Sequence, residues 1–195
     1  MSTSTGRPRT RRHDPDRRDR IVDACLDVIA EHGVAGTSHR RVAAAADVPL
    51  GSMTYHFAGM DDLLRAAFGR FVEQSAGLFE QRMLEAQDAD AAVAAIERLI
   101  THEVFATQRE LVLSHELYTL AAREPAYRAL TNDWMGRSRA ALGRHFDPTT
   151  ARLLDAMIEG MTIHRALDTE VPDDADVLDA LTRLTAVTRD ARLPL

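Results

Sequence analysis

An all-helical chain is what this sequence predicts, and three observations carry that expectation. Apolar residues recur at spacings of three and four over long stretches, and no alternating apolar run of strand length occurs. Helix breakers are scarce among the 195 residues, at 7 Pro and 10 Gly, while alanine is abundant. Hydrophobic content is 45% but aromatic content only 5%, a mix that suits helices packed closely through small and aliphatic side chains. The expected organisation is an arm at 1–16, a small head at 17–60 and a larger helical body at 61–195.

The elements follow in order. The arm is rich in Arg, Ser, Thr and Pro with no period, and is expected to be disordered in isolation. From Arg17 a helix begins, with Ile21, Ala24, Cys25, Val28 and Ile29 on one face and Gly33 as its stop. Thr37 or Ser38 caps a second short helix running to about Ala46, which buries Val42, Ala45 and Ala46. A third spans roughly Leu50 to His56. A long helix starts near Asp61 and holds its period past residue 80 through Leu63, Leu64, Ala67, Phe68, Phe71, Val72, Leu78 and Phe79. Further helices are expected at 89–106, 109–122, 125–144, 149–168 and 174–190. Pro125 and Pro148 suit first helical turns, where no N–H partner is lost, and Asp147 and Asp173 or Asp174 suit caps.

Residues 33–57 carry the most function. Two helices too short to stand alone flank the tight connection Ala45-Ala46-Asp47-Val48-Pro49. Such a pair is a helix-turn-helix, which presents its second helix to a DNA major groove. Net charge is −6, yet its distribution is uneven. Residues 1–70 hold 11 Arg against 9 acids, and 71–195 hold 13 Arg against 21 acids. A mildly basic head on an acidic body suits a protein whose head alone meets phosphate. Cys25 is the single cysteine, so no internal disulfide forms, and a reduced thiol in a cytoplasmic protein is expected. No apolar run approaches the roughly 20 residues needed to span a bilayer, so no membrane partner is expected. The eight His show no metal-ligand spacing, and neither a phosphate-cradling loop nor a serine elbow occurs; no metal, cofactor or catalytic residue is expected.

These residues resemble the TetR family of bacterial transcriptional regulators. The resemblance covers residues 17–68 without a gap and rests on Ile21-x-x-Ala24, Gly33, Thr37-Ser38, Arg40, Val42-Ala43, Ala46, Val48, Gly51, Tyr55-His56-Phe57 and Leu63-Leu64. It implies a three-helix DNA-binding head and a body that dimerises, commonly through its last two helices, around a small-molecule pocket. The implied activity is that of a sequence-specific repressor released from a palindromic double-stranded operator when an apolar or aromatic effector binds. By the same resemblance Thr37, Ser38, Arg40, Leu50, Gly51, Ser52, Thr54, Tyr55 and His56 fall on DNA contacts, and Arg41, beside Arg40 at the start of the first motif helix, is expected to contact DNA as well. Three positions depart from the family pattern. Asp47 replaces the common turn glycine, Thr54 the common tyrosine, and Met60 the lysine that opens the long helix.

For the body, His102, Phe105, His115, Tyr118, Tyr127, Trp134, Met157 and Met161 supply apolar walls and a few polar groups suited to a pocket. Leu153, Met157, Gly160 and His164 form one stripe, and Val177, Leu181 and Leu184 another, as a four-helix homodimer interface requires. The competing reading is a helical small-molecule binding protein or enzyme with a vestigial DNA-binding head.

Overall fold

The computed structural model describes residues 16–103, 107–170 and 173–190, excepting the side chains of 187–190. Residues 1–15 of the expected arm, and Phe105, lie outside the described residues. The described chain is helical throughout, without strands. The head comprises α1 (Arg17–Gly36), α2 (His39–Ala45) and α3 (Gly51–His56). The body comprises α4 (Met60–Glu85), α5 (Ala89–Arg98), a π-helical turn (Leu99–Glu103), α6 (Gln108–Ala121), α7 (Pro125–Leu142), α8 (Pro148–Leu167) and α9 (Asp174–Asp190).

Local chemistry accounts for the boundaries. Gly33 adopts φ 68 and ψ 170, which interrupts α1 one turn before its end. Ser38 caps α2 by accepting from the Arg41 N–H, and Thr37 donates to the Gly33 carbonyl. Asp47 has φ 51, so aspartate supplies the left-handed residue of the turn in place of glycine. Asp88, Thr107 and Asp147 accept from the first free N–H groups of α5, α6 and α8. Pro125 and Pro148 sit in first turns, where the missing N–H costs nothing.

Two cores organise the molecule. The first joins Ile21, Cys25, Val42, Met53 and Phe57 of the head region to Leu63 and Phe68 of α4 and to Leu113, Leu117 and Tyr127. The hydrophobic interior therefore crosses the expected 60/61 boundary. Burial pushes the Cys25 thiol up to about 12, so it behaves as a small apolar side chain rather than a nucleophile. The second core gathers Phe79, Met83, Ile96, Leu142, Phe146, Leu154, Val177 and Leu181 at the other end of α4.

Three expectations are corrected. Ala45 is exposed, and Ala43 takes its place beside Val42, because the short α2 turns its 42/43/46 face inward. Leu78 is 49% exposed rather than core. The helix expected at 89–106 is α-helical only to Arg98 and continues as the wider π turn.

Candidate functional site

The head projects a short outward face. Helical period places Ser52 and Met53 of α3 against the core, at 9% and 0% exposure. Ser52 thus faces away from the side on which Leu50, Gly51, Thr54 and Tyr55 stand out. Leu50 is 51% exposed and Tyr55 83%, so both large side chains are free to meet another surface. A Cβ built on Gly51 would meet nothing within 4 Å, so another surface can come close to that backbone. His56 is half-buried and packs edge-on against Tyr55, with ring centroids 4.9 Å apart.

The first motif helix divides its two arginines. Arg41 folds back to donate to the Gly36 carbonyl, which commits its guanidinium to closing the turn. Arg40 is exposed and has no hydrogen bond or ion pair among the described residues. Thr37 and the Ser38 Oγ are engaged locally at the start of α2. Arg18 lies over the Phe57 ring, 5.2 Å from its centroid, which fixes the beginning of α1 beside the end of α3.

Besides the shared core, two sets of ion pairs tie head to body among the described residues. Arg70 of α4 pairs with Asp19 and with Asp23 (2.8 Å) of α1. Arg109 of α6 donates to Asp27 of α1 at 2.8 and 3.0 Å. Glu116 of α6 also approaches Gly33 so closely that a Cβ there would lie 2.7 Å from its Oε1.

A partly open cavity of about 290 Å³ lies in the body between α4, the π turn, α6, α7 and α8. Its aromatic lining is Phe71, Phe79, Tyr118 and Trp134. Trp134 is edge-on to Phe71 at 5.4 Å and nearly parallel to Tyr118 at 6.4 Å. Tyr118 also donates to Glu159, and burial first, then the Glu159 charge, raises its phenol well above the usual range. Asp155 is likewise raised by burial, partly offset by a Ser138 hydrogen bond and by Arg139 at 3.4 Å.

Of the residues expected to line a pocket, Tyr118 and Trp134 do so. Tyr127 is buried in the first core and donates to Asp61 at 2.7 Å, so its hydroxyl is already used. His102 is exposed, and the His115 ring nitrogen meets the Leu111 carbonyl at 2.8 Å. Met157 and Met161 pack against the second core. In their place the cavity gathers polar groups that composition did not single out: Glu110 and Ser114 of α6 and Asp155 and Glu159 of α8. A signal was present. Glu110, Ser114 and Tyr118 stand four apart, a polar stripe on a helix of the body interior.

The proposed dimer stripes also divide. Val177 and Leu181 are 1% and 0% exposed and belong to the second core, and Leu184 packs against it. The helical period that points them inward leaves Leu178 outside, 49% exposed. On α8, Leu153 is 49% exposed, His164 is exposed, and a Cβ on Gly160 would meet nothing within 4 Å.

Comparison with known proteins agrees with this arrangement. Residues 21–67 match the family described as bacterial regulatory proteins, tetR family, and residues 87–187 match the tetracyclin repressor-like C-terminal domain. The crystal structure of SCO7518 from Streptomyces coelicolor A3(2) superposes with a TM-score of 0.82 at 55% identity, covering 88% of this chain and 99% of that one. The multidrug binding protein EbrR, complexed with ethidium, gives a TM-score of 0.72 at 38% identity, covering 88% and 99%. A sequence relative is the HTH-type nicotine-responsive transcriptional repressor HdnoR of Paenarthrobacter nicotinovorans, 22% identical over 85% of this chain and 92% of that protein. With both regions matched and the helix-turn-helix in place, the chain belongs to the TetR family of bacterial transcriptional regulators.

Proposed function

We propose that this regulator is a ligand-responsive repressor that binds a palindromic operator as a homodimer and leaves it when a small aromatic molecule occupies the body cavity. The observation that carries this reading is the path of α4. It starts four residues after His56, at the foot of the recognition helix, and its Phe71, Gln74 and Ser75 line the cavity. At 1.5 Å per residue, Met60 and Gln74 are roughly 21 Å apart on one rigid rod. A ligand that displaces the cavity end of this rod moves the recognition helix with it. Two recognition helices must stand about 34–36 Å apart to meet successive grooves, so a modest shift spoils both half-sites together.

In this reading Leu50, Gly51, Thr54 and Tyr55 enter the major groove, Arg40 reaches a base edge, and Thr37, Ser38 and His56 hold phosphates. Arg41 supports the turn, and Ser52 the core. The dimer forms through Leu153, Met157, Gly160 and His164 of α8 with Leu178 of α9. Relatives of known ligand lend support: EbrR is seen with ethidium and with proflavin, and HdnoR is nicotine-responsive. The test is a gel shift of the full-length protein on DNA from its own upstream region. A salt-sensitive complex that planar aromatic compounds dissolve is expected. A complex of equal strength on unrelated DNA, or one indifferent to every such compound, refutes it.

A further inference from the structure

We propose that the effector is an organic cation bearing N–H donors, with Glu110 and Glu159 receiving its charge and Ser114 accepting one of its hydrogen bonds. The inference rests on the reading of the cavity as the effector site and names the chemistry that the site selects.

Unspent hydrogen-bonding capacity is the first ground. Ser114 is 1% exposed, and its Oγ has no partner. Other buried helical threonines spend their hydroxyls within the protein: Thr162 on the Ile158 carbonyl and Thr185 on the Leu181 carbonyl, each at 2.8 Å, and Thr131 on the Arg128 carbonyl at 3.1 Å. Ser114 makes no such bond and lines the cavity instead. One turn earlier on α6, the Glu110 Oε2 is buried and equally without a partner. Buried polar atoms are ordinarily satisfied, and two such acceptors on one cavity wall match a ligand that brings donors.

Charge is the second ground. The cavity's other acids are answered from within the protein. Arg82 lies 3.3 Å from Glu103, and Arg139 lies 3.4 Å from Asp155. Arg109, the one arginine lining the cavity among the described residues, is committed to Asp27 of the head. Glu110 and Glu159 have no cation in ion-pair reach among the described residues, and Glu159 receives only the neutral Tyr118 hydroxyl. An anion entering here meets two uncompensated carboxylates, and a neutral ligand leaves them as they are. A cation completes them beside the rings of Trp134, Tyr118 and Phe71, which line the same cavity.

Proflavin and acridine separate the possibilities, because they share a planar three-ring frame. In mildly alkaline buffer proflavin is a cation with amino donors, and acridine is neutral. Binding of each to the full-length protein is measured by calorimetry, and operator release by gel shift. Proflavin is expected to bind at least about tenfold more tightly than acridine, the scale of a charge-assisted pair in a shielded site. Glu110→Gln, which keeps the shape, is expected to remove about that factor for proflavin and leave acridine unchanged. Glu159→Gln is the second variant should the first fail to fold, and thermal melts check both. Equal affinity for the two compounds, or an equal loss for both in Glu110→Gln, overturns the cation assignment while the aromatic-effector reading stands. If neither compound binds and neither releases DNA, both readings fall.

Discussion

Replacing Gly33 by alanine tests the junction at which the effector-bearing body meets the DNA-reading head. Gly33 holds φ 68 and ψ 170, a backbone region that essentially only glycine occupies. Forcing a Cβ into it costs on the order of 1–3 kcal/mol. The new methyl would also stand 2.7 Å from Glu116 Oε1, the end of a flexible side chain that can swing aside. That movement adds about 0.5–1 kcal/mol of rotamer strain. The unfolded chain, less free with alanine, returns about 0.4–1 kcal/mol in the opposite direction. The net loss is therefore roughly 1–3 kcal/mol, almost all from the backbone. For a chain of this length about 3 °C of melting temperature corresponds to each kcal/mol, so a drop of roughly 3–9 °C is expected. Melts at one fixed protomer concentration are the assay, since dimerisation makes the midpoint concentration-dependent. The same substitution in a Glu116→Ala background discriminates the causes. A loss that persists there is backbone strain. A loss that vanishes there, or a Gly33→Ala melt within about 1 °C of the parent, refutes the argument.

Other substitutions probe the remaining parts. Arg40→Ala is expected to cost about 1–3 kcal/mol of operator binding and to relax preference at one base, read across single-base operator variants. An equal loss on every variant reduces Arg40 to a phosphate contact. Leu153→Glu is expected to turn dimer into monomer in light scattering while the fold survives, whereas Leu181→Ala is expected to cost about 2–5 kcal/mol of stability because Leu181 is buried core. A dimer that tolerates Leu153→Glu removes the α8 face from the interface. The Arg137 guanidinium donates to Glu73 and Glu80 and, by those hydrogen bonds first, holds the Glu80 carboxyl below its ordinary value. A depressed folded-state value means that stability is fully present above the unfolded value and is lost as pH falls through the folded one. Arg137→Gln is therefore expected to flatten the stability decline below about pH 4.5, followed by denaturant midpoints; an unaltered acid limb contradicts the pairing.

The head was almost entirely legible because its signals are local. Ser38 as a cap, Gly33 as a stop and Asp47 as a left-handed turn residue each act within four residues of themselves. The long helices were legible for a related reason, since an apolar stripe repeats every turn. Ala45 misled because a seven-residue helix offers too few turns to decide which of three adjacent alanines faces inward. The cavity was legible only in part. Aromatic residues drew attention by size, but Tyr127 had been claimed by Asp61, 66 positions away. The Glu110–Ser114–Tyr118 stripe was the one local signal of the site, and Glu159 had none, because nothing near it in the chain announces that five separate segments close around it.

Membership in an all-helical, DNA-reading family was thus written in short-range chemistry: caps, turns and a helical period, each a matter of neighbouring residues. Which acids are left without a counter-charge, which leucines of α9 point inward and how the head is held to α6 depend on contacts between distant segments. Burial and electrostatic compensation are properties of an enclosed volume, and that volume exists only once the helices have packed.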